Sequence, residues 1–157
     1  MKENLMRISA LLNSETITCG LMSQDKEGVI AELAEPLAKI SGMAVEELIR
    51  VLMDRERMGS TGIGSGIGIP HGKSKELSEP IMAFGLSRKG IDFESLDKKP
   101  AHIFFMLITP ENAPNIHLKL LSGIAKILRN EPFRQRLMMA KTPDEVITIL
   151  RDEEEVF

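Results

Sequence analysis

The sequence has 157 residues, a formal net charge of -3, and 43% hydrophobic against 27% charged residues. This composition predicts one soluble, cytoplasmic domain over residues 1–157, because the longest apolar run is far below the ~20 residues of a membrane-spanning helix and no signal-peptide pattern is present. Net negative charge and the lack of Trp and Tyr exclude a typical nucleic-acid-binding surface. The single cysteine, Cys19, excludes an internal disulfide, and its strand-like setting predicts a buried, inert thiol.

The first elements predicted along the chain are a strand and two helices. Residues 16–19 form a short β-branched and apolar run that is typical of a strand. Apolar residues at helical spacing then predict an amphipathic helix that opens at Asp25 and ends at Gly42, with Pro36 as a possible kink. The same pattern over 45–53 predicts a second helix.

The later part of the chain is predicted to contain two strands and three closing helices. Residues 81–86 and 103–108 indicate strands, the second central because it is apolar on both faces, with a turn at Lys89-Gly90 after the first. Helical stripes cover 116–128, 131–139 and 143–150. The acidic residues 152–155 are interpreted as a solvated helix end or a frayed tail, which limits the compact core to about 6–150. Helices on both sides of a few strands predict a layered α/β domain.

A glycine-rich segment is the most unusual feature of the sequence. Glycines at 62, 64, 66 and 68 alternate with isoleucines at 63, 67 and 69, which is the period of an extended strand. The isoleucines would then anchor one face in the core, and the bare face would let an anion such as phosphate approach the backbone. Taken alone, the glycines favour a loop or bulge without a ligand. Neither the P-loop spacing nor the dinucleotide spacing fits, so nucleotide binding lacks support.

His71 follows this segment. Pro70 restricts Ile69 to extended geometry and Gly72 frees the backbone after His71, so the imidazole is expected at a strand end where the chain turns. A neutral imidazole is a good nucleophile near pH 7 and can carry a phosphoryl group. The residues alone nevertheless favour a structural histidine.

The run from Asp54 to Gly72, DRERMGSTGIGSGIGIPHG, resembles the signature of the enzyme IIA domains of the fructose, mannitol and nitrogen-regulatory group of the bacterial phosphotransferase system. The segment 115–121 and the helix order extend this resemblance over nearly the whole chain, with Gly68 where relatives commonly have Ala. The resemblance implies an α/β (α+β) fold, a three-layer α/β/α sandwich with a small mixed β-sheet. It also implies a phosphotransferase without metal or cofactor, in which His71 accepts phosphate from phospho-HPr or its nitrogen-system counterpart.

The resemblance also implies two residues that assist His71. Arg55 would hold two phosphoryl oxygens through its planar guanidinium, and His117 would donate an N–H to the phosphoryl group. From the residues alone, Arg55 is a solvated arginine at a helix end and Arg57 is equally eligible. His117 is in the same way interpreted as a core histidine with a backbone partner.

Three further residues are predicted to bind phosphate: Ser60 and Thr61, whose hydroxyls would donate to it, and Gly72 beside the nucleophile. The two hydroxyl residues also suit a plain turn. His102, at the start of the strand predicted over 103–108, belongs to no motif and is interpreted as incidental.

The biological role is predicted to be that of a nitrogen-type regulatory IIA, because the sequence holds no IIB, IIC or HPr segment. Its partners would be phospho-HPr or nitrogen-system HPr and a IIB domain or regulatory proteins, without nucleic acid or direct membrane insertion. Three alternatives stay open: a fructose- or mannitol-type IIA that passes phosphate to a IIB domain, an interaction module controlled by phosphorylation, and an anion-binding module without transfer.

Overall fold

The computed structural model describes residues 7–156, which fold around one mixed β-sheet. The strands are β1 (Ile17–Thr18), β2 (Gly62–Gly64), β3 (Ile67–Gly68), β4 (His71–Ser74), β5 (Ile81–Ile91) and β6 (Ala101–Pro110). The helices are α1 (Lys26–Ser41), α2 (Val45–Arg57), α3 (Pro114–Ile127), α4 (Glu131–Met138) and α5 (Pro143–Val156), and a 3-10 helix spans Ile8–Leu11. No helix in this part of the chain is long and apolar enough to cross a membrane.

β6 lies at the centre of the sheet, whose strand order is β1-β5-β6-β3-β2. One edge of β6 pairs antiparallel with β5. The other edge pairs in parallel first with β3 and then, further along, with β4. β3 and β4 therefore lie one after the other along the same edge of β6, separated by Ile69 and Pro70.

The two faces of β6 belong to two different apolar clusters. Ile103, Phe105 and Leu107 pack with side chains of α3, α4 and α5. The alternate residues, Phe104, Met106 and Ile108, pack with α1 and α2. Since all six are at most 2% exposed, the predicted central strand and the three-layer α/β/α arrangement are confirmed.

The helix predicted from Asp25 to Gly42 is confirmed with both of its end signals. The Asp25 carboxylate accepts a hydrogen bond of 2.8 Å from the Gly28 N–H, which satisfies a free donor of the first turn. Gly42 closes the helix in the left-handed region with φ 78°. Pro36 lies inside α1, and the second predicted helix runs four residues further than expected, to Arg57.

The prediction of a single extended strand over the glycine segment is wrong. β2 and β3 pair antiparallel and form a hairpin, because Ser65 (φ 56°) and Gly66 (φ 78°) turn the chain in the left-handed region. Ile63 is consequently 47% exposed instead of anchored in the core. The bare glycine positions face protein atoms: a Cβ on Gly68 would lie 2.8 Å from the Phe104 ring.

The predicted turn at Lys89-Gly90 is also wrong. β5 continues through this pair to Ile91, and its register with β6 shifts between Leu86 and Ile91. Gly90 has φ 92°, so the glycine serves an irregularity inside the strand and does not end it.

The acidic C-terminal residues are not a frayed tail. α5 runs to Val156, and Glu153 is only 4% exposed because its carboxylate accepts hydrogen bonds from Asn130 and Arg136. The Glu154 carboxylate accepts from the backbone N–H groups of Ile8 and Ser9. These bonds tie α5 to α4 and to the 3-10 helix. The predicted core boundary at residue 6 lies outside the described residues.

Candidate active site

A cavity of about 520 Å³ opens at the sheet edge where β4 lies between the end of α2 and the start of α3. Val51 and Arg55 line it from α2, His71 and Lys73 from β4, and His117 from α3. Three elements distant in sequence therefore bring His71, His117 and Arg55 into one cavity. The remaining lining residues include the charged side chains of Arg50, Asp54 and Glu111.

The hydrogen bonding of His71 determines its tautomer. His71 is the first residue of β4 and pairs with Leu107 of β6. Its Nδ1 lies 2.6 Å from the carbonyl oxygen of Ile69. Because a carbonyl oxygen only accepts, Nδ1 carries the proton in the neutral ring and Nε2 keeps its lone pair. A nucleophilic nitrogen is thus available without the loss of a proton.

The charge state of His71 suits the same role. Burial lowers the pKa of His71 below its ordinary value, and the nearby positive charges of Arg55 and Lys73 lower it further, against the opposing effects of the Ile69 carbonyl and the Glu56 carboxylate. The imidazole is therefore neutral at pH 7. A neutral ring is the form that can attack phosphorus.

His117 lies in the first turn of α3 and faces His71. The two ring centroids are 5.6 Å apart with an interplanar angle of 58°. His117 is 8% exposed, and its Nδ1 lies 2.6 Å from Oγ1 of Thr109. Burial chiefly, with the positive charges of Lys73 and of His71 when it is protonated at low pH, lowers the pKa of His117 to about 4. This ring is accordingly a neutral hydrogen-bonding group.

The structure distinguishes between the two candidate arginines. Arg55 lines the cavity, and its Nη1 donates to the Gly59 carbonyl at 2.9 Å, which holds the guanidinium at the rim. Arg57 instead pairs with Asp54 at 2.6 Å and is not among the residues that line the cavity. Of the two, Arg55 is the one that shares the cavity with His71.

Ser60 and Thr61 do not line the cavity, in contrast to the expectation from the sequence. The Ser60 hydroxyl donates to the Phe93 carbonyl at 3.2 Å. Thr61 is 3% exposed, and both its N–H and its hydroxyl donate to the carboxylate of Glu56. Both hydroxyls are therefore used within the fold.

Gly72 does line the cavity, but its lack of a side chain has a structural reason. A Cβ at this position would lie 2.5 Å from Cγ1 of Val51, so the glycine allows α2 to pack directly on β4. This close contact holds the end of α2, and with it Arg55, against the strand that begins at His71.

Two residues of the site were missed by sequence reasoning. Lys73 lies two positions after His71 in β4, and the strand period of two places both side chains on one face. That signal was present in the sequence once His71 was taken to start a strand. Thr109 is paired with Lys73 across the β4–β6 ladder, and only this long-range pairing reveals it.

The other two candidate groups lie elsewhere. His102 is five residues before Leu107 on β6, roughly 17 Å along the strand at about 3.4 Å per residue. Its Nδ1 is bonded to the Ser87 carbonyl at 2.8 Å. Cys19 is half-buried, and burial raises the pKa of its thiol, as expected for an unreactive cysteine.

Comparisons with known proteins show the family of the chain. The family model described as "Phosphoenolpyruvate-dependent sugar phosphotransferase system, EIIA 2" matches residues 10–153. The chain is 40% identical over 146 residues to the fructose-specific EIIABC component of Bacillus subtilis, which covers 92% of the chain but only 23% of that longer protein. It is 34% identical over 145 residues to a nitrogen regulatory protein of Bradyrhizobium diazoefficiens, covering 92% of the chain and 95% of the relative.

Among solved structures, the nitrogen regulatory protein IIA-Ntr of Neisseria meningitidis superposes with a TM-score of 0.87 at 31% identity. The superposition covers 91% of this chain and 98% of that one. The match over nearly the whole length confirms the resemblance read from the run that ends at His71 and Gly72. The chain belongs to the EIIA 2 family of the phosphoenolpyruvate-dependent sugar phosphotransferase system.

Proposed function

We propose that His71 accepts a phosphoryl group on Nε2 from a phosphohistidine of HPr, or of its nitrogen-system counterpart, and later passes it to an acceptor. The observation that carries this proposal is the hydrogen bond from Nδ1 of His71 to the Ile69 carbonyl. This bond leaves the Nε2 lone pair as the reactive position of a neutral ring, in a cavity that Arg55 and Lys73 also line. A cytoplasmic carrier is proposed, since the donor is a cytoplasmic protein in this family.

The transfer step balances without a metal or a nucleotide. The Nε2 lone pair of His71 forms a bond to phosphorus, while the P–N bond of the donor phosphohistidine breaks and its electron pair returns to the donor nitrogen. Nδ1 of His71 keeps its proton, and this N–H continues to donate to the Ile69 carbonyl oxygen. The ring gains positive charge as the bond forms, and the carbonyl dipole of Ile69 stabilises that charge.

The cations of the cavity would stabilise the phosphoryl group. Arg55 offers a planar guanidinium that can contact two phosphoryl oxygens, and Lys73 adds a second positive charge on the β4 side. Both charges act on the imidazole itself, since each lowers the pKa of His71. A bound dianion would reverse this balance, so phosphorylation is favoured electrostatically.

The acceptor is proposed to be a regulatory target, as for a nitrogen-type IIA. Support comes from the 34% identity to the nitrogen regulatory protein of Bradyrhizobium diazoefficiens and from the TM-score of 0.87 with IIA-Ntr. The second candidate is a fructose-type carrier that serves a IIB domain, favoured by the 40% identity to the fructose-specific component of Bacillus subtilis. In either role the domain would act as one phosphoryl carrier, and its phosphorylation state could also control protein binding.

The test is phosphoryl acceptance from phosphorylated HPr, followed by mass spectrometry at a pH that preserves phosphohistidine. Wild-type protein should gain one phosphoryl group and His71→Ala none, while His102→Ala should behave as wild type because His102 lies far from the cavity. Phosphate on the His71→Ala variant would overturn the proposal. Phosphorylated protein mixed with a sugar IIB domain then separates the two roles, because only a fructose-type carrier should be discharged rapidly.

A further inference from the structure

A buried hydrogen bond joins Thr109 to His117, and neither His71 nor the cations of the cavity take part in it. Thr109 is the penultimate residue of β6, is 0% exposed, and lies opposite Lys73 in the β4–β6 ladder. Its Oγ1 is 2.6 Å from Nδ1 of His117. Among the described residues the Thr109 hydroxyl has no second hydrogen-bond partner. The direction of this one bond therefore decides where the proton of His117 is held.

Two arrangements are possible for a neutral ring. If Nδ1 of His117 carried the proton and donated to Thr109, the threonine hydroxyl would be left as a buried donor without an acceptor, which is costly. If the hydroxyl donates to Nδ1, both groups are satisfied, and the proton of His117 is on Nε2. The second arrangement is favoured because it leaves no buried polar hydrogen unpaired.

We infer that Thr109 is a positioning residue that holds His117 in the Nε2–H tautomer, so that this N–H is directed to the phosphoryl group on His71. The tautomer of His117 follows from the hydrogen bond alone, whereas its effect on phosphoryl transfer rests on the proposed function. Nδ1 faces the buried threonine, so Nε2 lies on the side of the ring that is turned away from it, where His117 lines the cavity.

The two histidines thus carry opposite tautomers for a physical reason. Nδ1 of His71 faces a carbonyl, which only accepts, and Nδ1 of His117 faces a hydroxyl, which can donate. His71 consequently presents a lone pair and His117 a proton. A lone pair on Nε2 of His117 would instead repel the phosphoryl oxygens.

The test compares Thr109→Val, which removes the hydroxyl from a side chain of similar shape, with Thr109→Ser, which retains it. Imidazole nitrogen NMR on the unphosphorylated proteins reports the tautomer directly. Wild type and Thr109→Ser should show a protonated Nε2 and an unprotonated Nδ1 for His117. Thr109→Val should show a mixture of the two tautomers. Its rate of phosphoryl acceptance should fall in proportion to the fraction of His117 left in the Nε2–H form, about twofold for an equal mixture.

A wild-type spectrum with the proton on Nδ1 of His117 would overturn the inference, and this result needs no variant to fold. An unchanged tautomer and an unchanged rate in a folded Thr109→Val protein would overturn it as well. Failure of the proposed function is recognised separately, as phosphate acceptance by His71→Ala, because the tautomer is measured without any phosphoryl donor.

Discussion

The buried ion pair at the end of α2 leads to the sharpest stability prediction. Lys26 Nζ lies 2.9 Å from Oε1 of Glu56, and the two side chains are only 8% and 2% exposed. Glu56 also accepts the Thr61 N–H at 3.0 Å, so the pair holds the end of α2 against the loop that leads to the glycine hairpin. Lys26→Met would leave the Glu56 carboxylate buried without its countercharge.

The expected cost of Lys26→Met is about 3–5 kcal/mol in the free energy of unfolding, the usual effect of breaking a buried pair from one side. That is a large share of the total of roughly 5–15 kcal/mol for a protein domain. Urea denaturation measures it. Arg50→Met is the matched control, because the Arg50–Glu47 pair is on the surface, with its side chains 59% and 34% exposed, and its loss should be small.

The double variant Lys26→Met/Glu56→Gln separates burial of charge from loss of packing. Glutamine keeps an acceptor for the Thr61 N–H but carries no charge, so the double variant should be more stable than Lys26→Met alone. A loss for Lys26→Met no larger than that for Arg50→Met would refute the reasoning. A double variant would also refute it if its loss in the free energy of unfolding equalled the sum of the losses of Lys26→Met and Glu56→Gln measured singly.

Three other predictions follow from the geometry. Arg55→Lys should slow phosphoryl acceptance in single-turnover assays, because an ammonium group cannot contact two oxygens as a guanidinium does. Arg57→Lys is the control and should leave the rate unchanged. Equal rates for the two variants would contradict the role proposed for Arg55. Gly72→Ala should lower the free energy of unfolding by about 1–3 kcal/mol, since its Cβ would lie 2.5 Å from Val51 Cγ1. The double variant Gly72→Ala/Val51→Ala should lose less than the sum of the two single variants, and an additive loss would contradict the clash. The pKa of His117 is about 4 in the folded state and about 6.5 in the unfolded chain, so the unfolded chain binds the proton at the higher pH. The free energy of unfolding should therefore fall as the pH drops from about 6.5 to about 4, and His117→Gln should weaken that dependence. An unchanged pH profile in the variant would contradict the lowered pKa.

Local signals in the sequence were enough to predict much of the scaffold. The capping residues Asp25 and Gly42 bound α1 as expected, because both act on the backbone within a few residues. The uninterrupted apolar run in β6 identified the central strand, since only a strand covered on both faces needs apolar residues at every position. The hairpin was missed because alternation of glycine and isoleucine does not reveal that Ser65 and Gly66 adopt positive φ.

The candidate site depends on contacts that no local pattern encodes. His71 reaches His117 because β4 pairs in parallel with the far end of β6, from which the chain leads directly into α3. The family resemblance named both histidines and Arg55, but not Thr109, whose role follows from its 2.6 Å contact with His117. Ser60 was predicted to bind phosphate because it lies in the run that leads to His71. Its hydroxyl instead donates to the Phe93 carbonyl, a partner that only the tertiary fold brings near.

Nitrogen NMR of the phosphorylated protein tests the central claim most directly. The protein is labelled with ¹⁵N in its histidines, phosphorylated by HPr, and examined for coupling between phosphorus and each imidazole nitrogen. Because Nδ1 of His71 is held by the Ile69 carbonyl at 2.6 Å, phosphorus should couple to Nε2 of His71, with the Nδ1 proton retained. Coupling to Nδ1 of His71, or to a nitrogen of any other histidine, would contradict the account.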